Sequence, residues 1–223
     1  HHLGTVKKNP EFDLNIEKVA LETTQEDNLI TIKSGNLTLE ITKKPWSMTY
    51  KRDGKVLTKS TGKDLAIMKT DWKGDAYDKG DLADTYMRQQ LSIGVGELLY
   101  GTGERFTPFV KNGQSIDIWN ADGGTSTEQA YKNIPFYISN KGYGVLVNHP
   151  ENVSMELGTE MVTKAEFSVE GGYLDYFLFG GESMKDVLVA YTDVTGKPSL
   201  PAPWTFGLWL STSFTTNYDE ATV

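Results

Sequence analysis

The stretch NLTLEIT, residues 36–42, alternates apolar and polar side chains without a break. Leu37, Leu39 and Ile41 are its apolar positions, and threonine and glutamate fill the positions between them. Successive side chains of a strand point to opposite faces of a sheet, so this period of two predicts a half-buried antiparallel strand.

The segment that follows, WSMTYKRDGKVLTKS at residues 46–60, predicts a hairpin, because Asp53-Gly54 can supply the positive φ angles of a tight type I′ turn. Similar strand patterns occur in four more stretches: DLNIEKVALETT, NLITIKS, YGVLVNHP and KAEFSVEGGYLDYFLFG, the last with a turn at Gly171-Gly172. Many short strands separated by turn signals predict an all-β fold, a large antiparallel β-sandwich.

One short helix is predicted over residues 183–193. Ser183 can cap its first turn, with Asp186 as a capping-box partner three residues later. An apolar stripe at helical spacing is formed by Met184, Val187, Leu188 and Tyr191.

Composition excludes several classes of function. The chain has 223 residues, a net charge of −8 and a sequence pI near 5.0. An acidic surface argues against nucleic acid as a partner, and the apolar runs are too short to span a bilayer. Cysteine is absent, which excludes disulfides and thiolate chemistry. We therefore expect neither nucleic acid nor membrane as a partner.

Histidine is scarce. His1 and His2 read as the remnant of a purification tag, which leaves His149 alone. A zinc site of the usual His/Cys type cannot be assembled from one histidine, so we expect no metal and no cofactor. A Ser-His-Asp triad would have to use His149, which precedes a proline; we interpret it as a strand-end or turn histidine.

An aspartate-rich stretch, DWKGDAYDKGDLADTY at residues 71–86, invites a calcium interpretation. Its spacing does not match the D-x-D-x-D-G calcium loop, and the bidentate glutamate is missing. We interpret it as a solvated, mobile loop.

The carboxyl end has a different pattern. Residues 198–203 form a proline-rich connector. The run TFGLWL that follows is continuously apolar, as in a strand that is buried on both faces of a parallel sheet. A helix start comes next. We therefore expect a cut piece of a larger protein: a tag remnant at 1–2, a β-sandwich at 3–197, the connector, and a truncated first βα unit at 204–223.

Three motifs carry a resemblance to glycoside hydrolase family 31. YGTGERF at 100–106 and WNADGGTSTEQAYKNIPFY at 119–137 resemble the family's amino-terminal, galactose-mutarotase-like sandwich. PAPWTFGLWLSTSFTTNYDEAT at 201–222 resembles the start of its catalytic (β/α)8 barrel. Within the family, AYKNIPFY is similar to the α-xylosidase branch; the α-glucosidase branch more often has histidine where Ile134 stands.

This resemblance implies a retaining α-glycosidase, most closely an α-xylosidase acting on α-linked xylosides. Both catalytic carboxylates of the family lie on later barrel strands, so we name no catalytic residue here and expect this chain alone to be inactive. The resemblance implies two substrate-binding residues. Asp122, on a sandwich loop, would accept hydrogen bonds from sugar hydroxyls, and Phe214 would line the sugar site.

We also assign expected roles to three residues in these motifs. Glu104 and Arg105 in GERF are expected to form a structural ion pair or a loop anchor rather than to catalyse. Trp119 could stack on sugar, but we favour packing in the core.

Two other classes of function stay open. Acidic, aromatic-rich sandwiches also suit a free-standing carbohydrate-binding module, although a truncated βα ending argues against it. A sugar epimerase would need a histidine acid with a carboxylate base, for which only His149 is at hand. A family 31 α-glucosidase is a further alternative. The expected partners are a carbohydrate substrate and the missing catalytic barrel, with homo-oligomers through an exposed apolar tail, and the expected location is cytoplasmic.

Overall fold

The protein is described by a computed structural model that covers residues 10–69, 85–121 and 129–209. Within these ranges the chain forms strands in three antiparallel sheets, with one α-helix. No helix of the described residues is long and apolar enough to cross a membrane.

The first sheet follows chain order. Its strands are β1 (Glu22–Gln25), β2 (Leu29–Ser34), β3 (Leu37–Lys43), β4 (Trp46–Arg52) and β5 (Lys55–Thr61). The predicted hairpin is confirmed: β4 and β5 pair antiparallel, and Asp53 and Gly54 between them have φ angles of 47° and 77°. Glycine adopts such angles without steric cost, which favours the tight turn.

The other two sheets use the rest of the strands. They are β6 (Leu65–Lys69), β7 (Thr85–Ser92), β8 (Leu99–Gly103), β9 (Gln114–Ile118), β10 (Asn133–Ser139), β11 (Tyr143–Val147), β12 (Val153–Leu157), β13 (Lys164–Glu170) and β14 (Tyr176–Gly180). The second sheet has the order β14-β11-β10-β8, and the third has the order β6-β7-β13-β12-β9.

The main core lies between the second and third sheets. Fully buried side chains come from both, for example Leu91, Leu99, Val145, Met155 and Phe167. Two sheets packed face to face over an apolar core form a β-sandwich, so the predicted fold class is confirmed.

Helix α1 (Met184–Thr195) covers the opposite face of the second sheet. The predicted capping box is present: the backbone N–H of Ser183 donates to Asp186 Oδ2 at 2.8 Å, and the N–H of Asp186 donates to Ser183 Oγ at 3.4 Å. These bonds satisfy N–H groups that the first turn leaves without helical partners.

The buried face of α1 differs from the predicted stripe. Val187 and Tyr191 do pack inward, and Tyr191 stacks on Phe136 with ring centroids 4.2 Å apart. Met184 and Leu188, however, are exposed. Their places are taken by two smaller side chains, Ala190 and Val194. Small side chains let the helix approach the sheet closely, which the size of Met and Leu would prevent.

The stretch DLNIEKVALETT is a strand only at its end, where β1 begins. Residues 10–21 have no regular structure, and their backbone finds partners elsewhere. The N–H of Phe12 donates to Asn148 Oδ1 at 3.0 Å, and the N–H of Asn15 donates to the carbonyl of Val194 at 2.9 Å.

We call residues 203–209 the carboxyl run. It was expected to form a strand that is buried in a larger protein and exposed in this chain alone. Its described part is exposed, as expected, but is not a strand. Pro203–Phe206 form a 3₁₀ turn, and the apolar side chains of 204, 206, 208 and 209 are all exposed. The N–H of Thr205 donates to the carbonyl of Ala202 at 2.9 Å. An unpaired strand would leave its backbone groups without protein partners, whereas the turn satisfies some of them locally. Residues 210–223 lie outside the described residues, so the barrel start stays a prediction, as do the domain limits.

Candidate functional site

Both residues predicted to bind substrate, Asp122 and Phe214, lie outside the described residues, as does most of the aspartate-rich stretch. The structure does describe the residues on either side of the Asp122 segment. We call residues 119–121 and 129–133, together with Arg105, the loop neck. This region is the candidate site whose geometry the structure describes.

Backbone pairing closes the loop neck. Asn120 and Ala130 form an isolated parallel bridge, and the N–H of Ala121 donates to the carbonyl of Ala130 at 3.1 Å. The chain therefore leaves and returns at nearly the same point, which fixes both ends of the intervening loop.

The side chain of Asn133 ties the two ends together. Its Nδ2 donates to the carbonyls of Trp119 and Ala130, at 2.8 Å each. Its backbone N–H donates to Asn120 Oδ1 at 2.8 Å. One residue at the start of β10 thus contacts both the outgoing and the returning chain.

Arg105 holds Asn133 in turn. Arg105 Nη2 donates to Asn133 Oδ1 and to the carbonyl of Asp117, and Nε donates to the carbonyl of Thr102 at 3.4 Å. A guanidinium group stays charged at any working pH and presents several N–H groups in a fixed plane, so it can bind several oxygens at once. The expected loop-anchor role of Arg105 is supported by this geometry.

Glu104 and Arg105 have different hydrogen-bond partners. The Glu104 carboxylate accepts from Lys132 Nζ at 2.9 Å, and the Glu104 backbone N–H donates to the Lys132 carbonyl at 2.9 Å. Both side chains are exposed, so the ion pair contributes little to stability. The structural ion pair expected of GERF is therefore formed with Lys132.

The glycines of YGTGERF allow β8 to approach the start of β10. Gly103 pairs with Asn133 and has a φ of 89°. A Cβ atom placed there would lie 2.1 Å from the carbonyl oxygen of Lys132. Only glycine fits this position, because both the backbone angle and the contact exclude a side chain.

Trp119 is not in the core. It is 57% exposed, so the interpretation favouring core packing is wrong. The reason is its position: β9 ends at Ile118, which is buried, and the next side chain along points away from the core. Trp119 lines an open cleft of about 280 Å³ together with side chains from β10 and from the segment after β11.

His149 lies in the wall of the same cleft. It follows β11, as expected for a strand-end histidine, and is only 3% exposed. Burial lowers the pKa of His149 below its ordinary value, although Glu151, the backbone of Pro10 and Glu170 favour protonation. A neutral imidazole is therefore the favoured form in the folded protein.

Among the described residues, no group of three or more histidine, cysteine, aspartate or glutamate side chains is arranged to hold a metal ion. The hydrogen bonds that close the loop neck are made by amides, carbonyls and one arginine. Chemically the loop neck can position a loop, and it offers no paired carboxylates for acid–base work.

Sequence reasoning found Arg105 from its motif but missed Asn133 and the cleft. Asn133 lies inside the quoted AYKNIPFY motif, and an asparagine at the start of a strand can bond nearby backbone through its side chain. Its two partners became evident only once residues 119 and 130 were brought together.

Comparisons with known proteins bear on the whole chain. The family model described as the glycosyl hydrolase 31 N-terminal galactose mutarotase-like domain matches residues 1–156. The α-xylosidase XylQ of Lactiplantibacillus pentosus is 46% identical over 100% of this chain and 28% of its own length. An α-xylosidase of Emericella nidulans is 47% identical over 100% of this chain and 30% of its own length. This chain thus spans less than a third of either relative.

Among solved structures, the cycloalternan-forming enzyme of Listeria monocytogenes in complex with a pentasaccharide substrate is similar. It has a TM-score of 0.75 and 25% identity, covering 92% of this chain and 19% of that one.

Proposed function

The chain belongs to the glycosyl hydrolase 31 family through its N-terminal galactose mutarotase-like domain, and on that premise we propose that it is the amino-terminal part of an α-xylosidase that hydrolyses α-linked xylosides. Residues 3–197 would be the sandwich, and residues 204–223 would begin the catalytic barrel. The partners would be the rest of the barrel and the carbohydrate substrate. The protein would be located in the cytoplasm, and copies of it would associate into homo-oligomers.

One observation carries the proposal: identity of 46% and 47% to two proteins named α-xylosidase extends over the whole chain. Such a match reaches beyond the sandwich core into the loops and the carboxyl run. The exposed apolar side chains of 204, 206, 208 and 209 also suit an end that packs on a further domain.

The mechanism follows from retaining glycoside hydrolysis. In retaining enzymes a nucleophilic carboxylate and an acid carboxyl lie about 5–5.5 Å apart. The acid protonates the glycosidic oxygen, whose bond to the anomeric carbon breaks as the nucleophile bonds to that carbon, and water then hydrolyses the glycosyl-enzyme. Both groups would belong to later barrel strands. In this chain, Asp122 would accept hydrogen bonds from sugar hydroxyls, while Arg105 and Asn133 in the loop neck would hold its loop in place. Phe214 would line the sugar site.

Substrate preference tests the proposal. The full-length parent is expected to hydrolyse an aryl α-xyloside with a higher kcat/KM than the matching α-glucoside, whereas the 223-residue chain alone is expected to hydrolyse neither above background. A parent that prefers the glucoside would replace the proposal with an α-glucosidase, and turnover by the chain alone would overturn the placing of the catalytic pair.

Asp122→Ala in the full-length parent tests the role of the loop. We expect kcat/KM to fall roughly ten- to over a hundredfold, because a charged hydrogen bond of about 1.5–3 kcal/mol that strengthens in the transition state is lost. Asp117→Ala is the control, since Asp117 has an exposed side chain on the neighbouring strand. Unchanged kinetics for Asp122→Ala would remove the sandwich from the site.

A further inference from the structure

The cleft beside Trp119 adjoins the loop neck and shares Trp119, Asn120 and Asn133 with it. It lies where β9 and β11 end and β10 begins, so three strands of two sheets open at one end of the sandwich. Its volume is about 280 Å³. That is close to the lower limit of small-molecule sites, about 300 Å³, and suits a ligand of one ring rather than a chain.

One wall of the cleft is aromatic. The Trp119 indole is 57% exposed, and the buried side chains of Ile118 and Pro135 form an apolar floor beside it. The backbone of Trp119 is fixed, because its carbonyl accepts from Asn133 Nδ2 at 2.8 Å. An exposed indole has few side-chain torsions to fix, so it offers a stacking surface at a low cost in side-chain entropy.

The segment after β11 lines the same cleft with polar side chains. His149 is 3% exposed, and its Nε2 has no hydrogen-bond partner among the described residues. Glu151 Oε2 lies 3.7 Å from that nitrogen, too far for a hydrogen bond, and the Glu151 side chain is largely exposed. A buried polar atom without a partner is costly, so a ligand that supplies one is favoured there.

Asn120 adds an amide at the rim. Its Oδ1 accepts from Asn133, but its Nδ2 donates to no acceptor in the described part of the chain. An unused amide donor, a carboxylate acceptor and an imidazole nitrogen surround the apolar floor. A ligand that satisfies all of them must combine an apolar face with hydroxyl groups around its edge.

We propose that this cleft binds a single pyranose ring, stacked on Trp119 and hydrogen-bonded by Asn120, His149 Nε2 and Glu151. The inference rests on the proposed carbohydrate substrate and adds a second sugar-binding position to it. An anion is disfavoured by Glu151 and by the net charge of −8, and a purely apolar ligand would leave His149 Nε2 unsatisfied.

Binding is tested on the 223-residue chain with methyl α-D-xylopyranoside as the probe. The ¹⁵N-labelled indole signal of Trp119, assigned by its loss in Trp119→Phe, is followed during titration. We expect a saturable shift with a dissociation constant in the millimolar range. Trp119→Ala, judged by ligand-observed saturation-transfer NMR, is expected to weaken binding at least about tenfold.

Two controls match these variants. Trp204→Ala removes an indole that is even more exposed and does not line the cleft, and it is expected to leave binding unchanged. myo-Inositol, a ring polyol without a pyranose oxygen, is expected to bind more weakly. Because Trp119 is exposed, its replacement is not expected to unfold the chain, and the backbone amide spectrum checks this.

Three results would overturn the inference: no saturable shift at tens of millimolar xyloside, binding unaffected by Trp119→Ala, or an equal response to myo-inositol. The outcome is distinguishable from failure of the proposed function. If the full-length parent hydrolyses α-xylosides but the 223-residue chain does not bind xyloside at Trp119, only the cleft proposal is refuted. If the chain binds xyloside but the parent hydrolyses no α-xyloside, only the proposed activity is refuted.

Discussion

The loop neck and the carboxyl run differ in how this chain holds them. Each flanks a predicted substrate-binding residue, Asp122 in one case and Phe214 in the other. The loop neck is fixed by side-chain hydrogen bonds of Asn133 and Arg105, which join residues 12–28 positions apart to Asp117, Trp119 and each other. At residues 203–209 the described hydrogen bonds are local, and the large apolar side chains face solvent.

This difference separates two kinds of organisation. The loop neck is complete within the sandwich, so its geometry is set before any substrate or partner arrives. The run at 203–209 carries apolar surface that only another surface can cover. Perturbations of the loop neck should therefore alter the stability of this chain, whereas perturbations of the run should alter its association.

Gly103→Ala should have the largest effect on stability. The new Cβ would meet the Lys132 carbonyl oxygen at 2.1 Å, and alanine disfavours a φ of 89°. We expect the free energy of unfolding to fall by more than about 3 kcal/mol, measured by urea denaturation. Gly113→Ala is the matched control, because Gly113 has a φ of 79° but open space around it; about 1–2 kcal/mol is expected there. Equal losses would mean that the close approach at β10 does not constrain the loop neck.

Arg105→Ala should come next, with a loss of about 2–3 kcal/mol, because charge-assisted hydrogen bonds to Asn133 and Asp117 disappear together. Hydrogen exchange at the Ala121 amide, which bonds across the loop neck, should also accelerate. Lys132→Ala removes an exposed ion pair in the same region and should cost less than about 1 kcal/mol. If Ala121 exchanges equally fast in both variants, Arg105 has no special part in closing the loop neck.

His149 should make stability depend on pH. Its pKa is lowered in the folded chain from 6.5, so below about pH 6.5 the unfolded state takes up a proton that the folded state resists. Stability due to this group is therefore full above that pH and is lost as the pH falls towards the folded pKa. The slope is at most about 1.4 kcal/mol per pH unit.

His149→Gln is expected to flatten that slope between about pH 5.5 and pH 7 in urea denaturation. Glu151, Glu170 and the Pro10 carbonyl oppose the effect by favouring the imidazolium, which keeps the slope below its limit. An identical pH dependence for the two proteins would show that other groups dominate in this range.

Local signals made the strands and the hairpin predictable. Asp53-Gly54 and the alternation in β3 act within a few residues, so the sequence pattern alone specifies them. The face of α1 was less predictable, because Met184 and Leu188 are as apolar as the residues that pack. The side chains that do pack, Val187, Ala190, Tyr191 and Val194, have the same i, i+3, i+4, i+7 spacing as the predicted stripe. The helical period therefore fits two faces, and the space beside the second sheet decides between them.

The candidate site was predictable only in part. A glycine-rich motif and its arginine were recognisable, but the bonds of Asn133 depend on the bridge between Asn120 and Ala130. Trp119 was misplaced because burial of an aromatic residue next to a strand is decided by which way the chain turns after Ile118. Such contacts arise from tertiary packing, and the local pattern does not encode them.

The smallest effect on stability is expected at the carboxyl run. Trp204 and Leu208 are 73% and 93% exposed, so replacing both with serine should change the free energy of unfolding by less than about 0.5 kcal/mol. Self-association should nevertheless fall, because exposed apolar patches are what brings copies together. Light scattering across a concentration series measures this, with Leu200→Ser as the control for an exposed apolar side chain outside the run. A stability loss above about 1 kcal/mol would show that the run packs on its own sandwich, and the contrast with the loop neck would then disappear.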